Sequence, residues 1–197
     1  MNANLAAEAL QAALKEARKR LADAARNRRN PMHTPVVATS DADTRVMVLR
    51  EFDRQEHALR FHLDARSPKT AVIAADPRVG VLAYDKEAGV QLRCRGVGRV
   101  LDEGDEVDAA WAGSAPFARR CYLGSAPGEL ADQPTSGLPE CIEGKQPTEE
   151  QLRPVRANFA ILLVRLEEID WYSLAHTGHR RALFRRADAW AGQWLTP

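Results

Sequence analysis

The chain has 197 residues, 45% of them hydrophobic, with a mean hydropathy of −0.41 and a formal net charge of +1. That length supports one core and a single domain over 1–197, residues 1–30 forming a helical N-terminal extension, and the near-neutral charge excludes an overall field for nucleic acid. No stretch approaches the roughly 20 apolar residues of a membrane span. Three cysteines (Cys94, Cys121, Cys141) without paired spacing, and no apolar leader core, point to a reduced, cytoplasmic protein with a small-molecule partner, no nucleic acid and no membrane.

From Asn4 to about Ala25 the chain is rich in Ala, Leu, Glu, Lys and Arg, with Leu10, Leu14 and Leu21 near one face of an amphipathic helix. The basic exit Arg26 to Pro31 ends it, since Pro31 disfavours helical geometry at Asn30. The period then changes. Pro35–Thr39, Arg45–Glu51 and Leu59–Leu63 are short, rich in Val, Leu and Thr, and separated by charged turns, as antiparallel strands are. A short helix follows from Ser67 to Ala75, with Ser67 as its cap, Pro68 at its first position and Asp76-Pro77 as its stop.

Val79–Tyr84 and Val90–Leu101 read as strands around the turn Asp85–Gly89, with Gly96 and Gly98 marking a bulge or a close backbone approach. Asp105–Ala115 reads as a helix and Gly124–Pro147 as a long loop. A capping box at Thr148–Gln151 opens a short helix to Val155. Strands Phe159–Leu166 and Arg180–Arg185 and a tail with Trp190 and Trp194 complete the chain. The sum is a mainly β (α+β) fold: an antiparallel barrel with peripheral helices, because so many short strands must close or pair to hide their edges.

Arg45, Arg50, Arg66, Ser67 and Lys69 form the best candidate cluster: several cations and a hydroxyl at a strand-to-helix turn suit a phosphate. On the residues alone, solvated strand-edge arginines are an equal reading. Gln91, inside the apolar run Val90-Gln91-Leu92, either faces inward towards a heterocycle with mixed donors and acceptors or alternates out to water. Trp171 with Gly178-His179-Arg180-Arg181 places an aromatic, an imidazole and guanidiniums within one turn and one strand, or else supplies a core tryptophan and an exposed strand face. The histidines form no metal-ligand pattern, and neither a phosphate-binding glycine loop nor a nucleophile elbow is present.

At these residues the chain resembles the pyridoxamine 5′-phosphate oxidase-like family of FMN-binding split barrels. The resemblance runs from about Pro35 to Pro197 and rests on Arg45–Arg50, Phe61–Lys69, Val90–Arg93 with Gly96, and Trp171–Arg181 with Trp194–Pro197. It implies an antiparallel split β-barrel with FMN held between the two subunits of a homodimer. By position, it implies Arg45 and Lys69 as phosphate-binding cations beside Ser67, and Val46, Met47, Val48 and Leu49 as the strand along the flavin. It further implies His62 and Leu63 as cofactor contacts, Gln91 as the amide at the ring edge, Trp171 and Arg181 as the second subunit's contribution, and Arg50 and His179 as the catalytic, substrate-facing pair.

The chain also departs from that family's pattern. Arg50 stands for a lysine and Thr177 for an arginine, and Pro68 replaces an arginine between Ser67 and Lys69, which leaves Arg66 to compensate. The tyrosine, arginine and serine that grip a substrate phosphate are not recognisable from Trp111 to Arg120. The implied function is an FMN-dependent oxidoreductase acting on an unidentified small substrate. The alternatives are a genuine pyridoxamine 5′-phosphate oxidase, a non-catalytic flavin or haem carrier or sensor, and a deazaflavin-using relative.

Overall fold

Helix α1 (Ala3–Arg26) buries Leu14, Ala17, Leu21 and Ala24 against the inner face of a curled sheet, with Leu10 packed at its margin. The computed structural model describes residues 3–197. Pro31 follows α1 as predicted and opens a short 3-10 turn, Pro31–His33, capped by the Asn30 side chain. Burying Leu14 and Leu21 contributes about 1.5–3 kcal/mol each, more than helix propensity alone supplies.

Among the described residues the strands are β1 (Val36–Ala38), β2 (Thr44–Val46), β3 (Leu49–Asp53), β4 (Ala58–Asp64), β5 (Arg78–Asp85), β6 (Val90–Leu101), β7 (Phe159–Ser173), β8 (Arg180–Arg185) and β9 (Gln193–Leu195). They form one antiparallel sheet in the order β2-β1-β5-β6-β7-β4-β3, with β8 on β7 and β9 on β8. Strand β7 divides its partners: Phe159–Arg165 pairs with β4, Glu168–Ser173 pairs with β8, and β6 runs along the other edge from Ile161 to Ser173. This is the antiparallel split barrel expected from the sequence. Fully buried Leu59, Phe61, Leu92, Leu162, Val164 and Leu166 fill its interior, and a second cluster around Val107, Tyr122, Phe159 and Ile161 lies under helix α3 (Asp105–Ala112).

Several elements differ from expectation. The strand predicted over Arg45–Glu51 is two: β2 pairs with β1 and β3 with β4, so the chain crosses between the halves of the barrel at Met47 and Val48. The predicted Asp105–Ala115 helix ends at Ala112, and α4 (Pro116–Arg119) follows it. Ser67 does not cap. Helix α2 (Lys69–Ala75) has Pro68 at its N-cap and no side-chain cap, because the Ser67 hydroxyl accepts from Lys69 instead. Strand β7 continues to Ser173, seven residues past its predicted end at Leu166. Both strand glycines act as expected. The ladder shifts register at Gly96, where an added β-carbon would stand 2.9 Å from the Arg165 carbonyl carbon, and Gly98 packs against Val79.

The segment 124–147 carries no helix or strand. It is held at its ends by Arg66 donating to the Gly124 carbonyl at 3.1 Å and by the Arg119–Glu149 ion pair at 2.5 Å, Glu149 lying in α5 (Glu149–Leu152). The capping box predicted at Thr148 is formed.

Candidate functional site

The expected single cluster of cations is two sites. At the first, Arg45 on β2 donates to the Val37 carbonyl at 3.3 Å and to the Thr39 hydroxyl at 3.1 Å and pairs with Asp43. Lys69, at the start of α2, donates to buried Ser67. Burial lowers the pKa of the Lys69 ammonium, and the charge of Arg45 lowers it further against the opposing pull of Asp43 and Asp64. Among the described residues no carboxylate lies within 4 Å of that ammonium. Two neighbouring cations, one of them half-buried without an ion-pair partner, fit the donor set of a phosphate. Arg66 does not join them: it donates to both oxygens of Asp64, at 2.9 and 2.7 Å, so its charge is already neutralised.

From this corner the chain runs along Val46, Met47, Val48 and Leu49. Met47 and Leu49 point into the core, while Val46 is 64% exposed and Val48 half-buried. Arg50 then falls at an irregularity in the β3–β4 ladder, between the pairs Leu49–Phe61 and Glu51–Arg60. A bulge of this kind re-aims a side chain. Arg50 is thereby directed to the second site, a cavity of about 370 Å³ that it lines with Arg60, His62, Ala110, Ser114 and Ala118. Leu63, next to His62, points the other way and is buried in the core.

Burial pushes the His62 imidazole down to about 4, with Arg50 and Arg60 adding to the shift. His57, stacked on Trp190, is lowered by burial, Arg18 and Arg186. Both rings refuse in the native state a proton that the unfolded chain accepts. Their stabilisation is therefore complete above the ordinary value of 6.5 and is lost as the pH falls from there, for His62 towards about 4. Urea midpoints measured across that window are expected to fall in the wild type and to fall less in His62→Gln. Equal slopes would show that His62 titrates normally in the folded protein.

A third group lies at the far side of the sheet. Gln91, Tyr172 and Arg181 are cross-strand neighbours on β6, β7 and β8. Arg181 donates to Asp170 from Nε at 3.1 Å and Nη2 at 2.9 Å, and Arg93 reaches the same buried carboxylate at 2.5 Å. The hydrogen bond to Asp170 raises the Arg181 pKa. Two guanidiniums share one carboxylate, so one positive charge remains beside Gln91. His179 Nδ1 lies 3.4 Å from the Tyr172 hydroxyl.

Trp171 is not part of this group. It faces the opposite side of β7, is 8% exposed, donates to Glu16 of α1 at 3.1 Å and meets Trp194 edge-on. The aromatic on the Gln91–Arg181 row is Tyr172, which sequence reasoning passed over together with Asp170 and Arg60. Continuing the alternation from buried Ile169 would have placed Trp171 inward and Tyr172 outward. Within one chain, Arg50 and His179 belong to different sites.

Residues 9–102 match the family model described as pyridoxamine 5′-phosphate oxidase, FMN-binding domain. A search of curated proteins finds no match. Among solved structures, the chain is similar to a pyridoxamine 5′-phosphate oxidase-related, FMN-binding protein from Nostoc punctiforme PCC 73102. The two are 23% identical over 84% of this chain and 89% of that one, with a TM-score of 0.69. It is also similar to PhzG from Burkholderia lata 383, solved in complex with tetrahydrophenazine-1-carboxylic acid, at 21% identity over 89% of this chain and 86% of that one, with a TM-score of 0.67. These structural likenesses establish the fold, and the matched stretch from α1 to the end of β6 contains Arg45, Lys69, Arg50 and Gln91. Residues 9–102 thus match the FMN-binding domain of the pyridoxamine 5′-phosphate oxidase family, and the chain has the split-barrel fold of the FMN-binding protein from Nostoc punctiforme.

Proposed function

We propose that the protein binds FMN at the seam of a cytoplasmic homodimer and is an oxidoreductase acting on a small organic substrate. The observation that carries this reading is the half-buried Lys69 ammonium beside Arg45 with no carboxylate of its own. Bound FMN supplies hydride or electron transfer, and the protein supplies binding, orientation and electrostatics. In this reading Arg45, Lys69 and Ser67 hold the phosphate, and Val46 and Val48 offer the ring an apolar strand. Gln91 bonds the ring edge, Arg181 offsets its negative charge, and Arg50 and His179 face the substrate. Trp171 supports the site from behind through α1, and Tyr172 takes the aromatic position beside Gln91.

The strand order supports a shared site. Arg45 on β2 and Arg181 on β8 are five strands apart, about 24 Å along the sheet at about 4.8 Å per strand. That separation favours a reading in which Arg181 comes to the cofactor from a second copy of the chain. An apolar row Val46–Val36–Leu82 crosses β2, β1 and β5, with Tyr84 beyond it, and Val46, Leu82 and Tyr84 are exposed in the single chain. Such a row suits burial against a second copy.

Protein purified without added cofactor is expected to show flavin absorbance and to sediment as a dimer. Val46→Asp is expected to give monomer and to lose most of the flavin. Colourless protein that takes up no added FMN would overturn the reading.

A further inference from the structure

We infer that the cavity beneath Arg50 selects a substrate bearing a single carboxylate rather than a phosphate. That this cavity is the substrate side of the site rests on the flavin reading above; its charge count does not. Arg50 contributes one guanidinium with no carboxylate within 4 Å among the described residues. Arg60 is already paired with Glu51 at 2.5 Å and approached by Glu106 at 3.7 Å. His62 remains an uncharged ring at neutral pH.

The opposite wall adds no charged side chain. It is built from small residues, including Ala110 and Ala118, and the Ser114 hydroxyl donates its proton to the Ala110 carbonyl at 2.8 Å. Among the groups lining the cavity, Arg50 is thus the charged donor without an ion-pair partner, and its planar fork matches a carboxylate in both charge and geometry. A phosphate dianion there would keep one negative charge unpaired in a partly desolvated space. The small side chains leave about 370 Å³, room for a single-ring acid over the sheet.

The test is calorimetric titration of the FMN-loaded protein at pH 7.5 with benzoate and with phenyl phosphate, which share a ring and differ in the anion. Benzoate is expected to bind at least about tenfold more tightly, and Arg50→Ala to weaken it by about tenfold or more. Ser114→Arg, which adds a second cation on the far wall, is expected to reverse the preference. Equal or tighter binding of phenyl phosphate to the wild type, benzoate binding indifferent to Arg50→Ala, or binding of neither anion would overturn the inference. Flavin occupancy is read from absorbance on the same samples, and the titrations are repeated on flavin-free protein. A protein that holds FMN without the anion preference refutes only this inference, whereas the preference in a chain that never takes up FMN refutes only the flavin reading.

Discussion

Arg45→Ala combined with Lys69→Ala is expected to leave a folded, colourless protein. If both cations hold the cofactor phosphate, each charge-assisted contact contributes about 1.5–3 kcal/mol. Losing both then weakens FMN binding by about 10²–10⁴-fold. Folding stability changes far less, because Arg45 pairs with an Asp43 side chain that is 65% exposed, and exposed pairs contribute about 0–1 kcal/mol. Fluorescence titration of FMN and a thermal melt on the same sample separate the two effects. Full flavin occupancy in the double variant would remove the phosphate assignment. Arg66→Ala serves as the contrast: its guanidinium is committed to Asp64 and to the Gly124 carbonyl, so it is expected to loosen the long loop while leaving most of the flavin bound.

Gly96→Ala is expected to be the most damaging single change to the fold. The added methyl would meet the backbone of Arg165 and Leu166 on β7, and backbone in the middle of a ladder has little room to yield. Overpacking of this kind costs about 1–3 kcal/mol and sometimes more. For a chain of this size that lowers the melting temperature by about 2–4 °C per kcal/mol. Gly104, where an added β-carbon meets nothing but φ is positive, isolates backbone strain from clash. A melting temperature for Gly96→Ala equal to that of the wild type would mean that β6 and β7 lie further apart than described.

Helix α1, strands β4, β5, β6 and β8 and the Thr148 capping box were legible because each satisfies one local rule: helical spacing, alternation, or a side chain reaching back to a free amide. The far half of β7 was not. Arg95 pairs with Glu168 and Gly96 with Leu166, leaving Glu167 as the extra residue of a bulge, so two consecutive acidic residues interrupt the alternation and resemble a strand end. Trp171 is buried, as the core reading of the residues allowed, whereas its cofactor role came from the family resemblance alone. The cationic corner at Arg45 and Lys69 was readable as residue types, but its membership was not. Arg50 leaves it because β2 and β3 pair with different partners, and Arg66 leaves it because Asp64, two residues earlier, is close enough to neutralise it. Both outcomes depend on pairing between distant segments, which no local pattern carries.

The 15-residue β7, about 50 Å of extended chain, is paired with β4, β6 and β8 at once. During synthesis β4 and β6 are both made before it, and each offers it an unsatisfied edge. Until residues 159–173 emerge, the first four-fifths of the polypeptide exposes strand edges with nowhere to dock, a state prone to clumping with neighbouring nascent chains. Assembly of this barrel therefore waits on its third-from-last strand, and conditions that slow translation late in the message lengthen the interval in which a chaperone is needed.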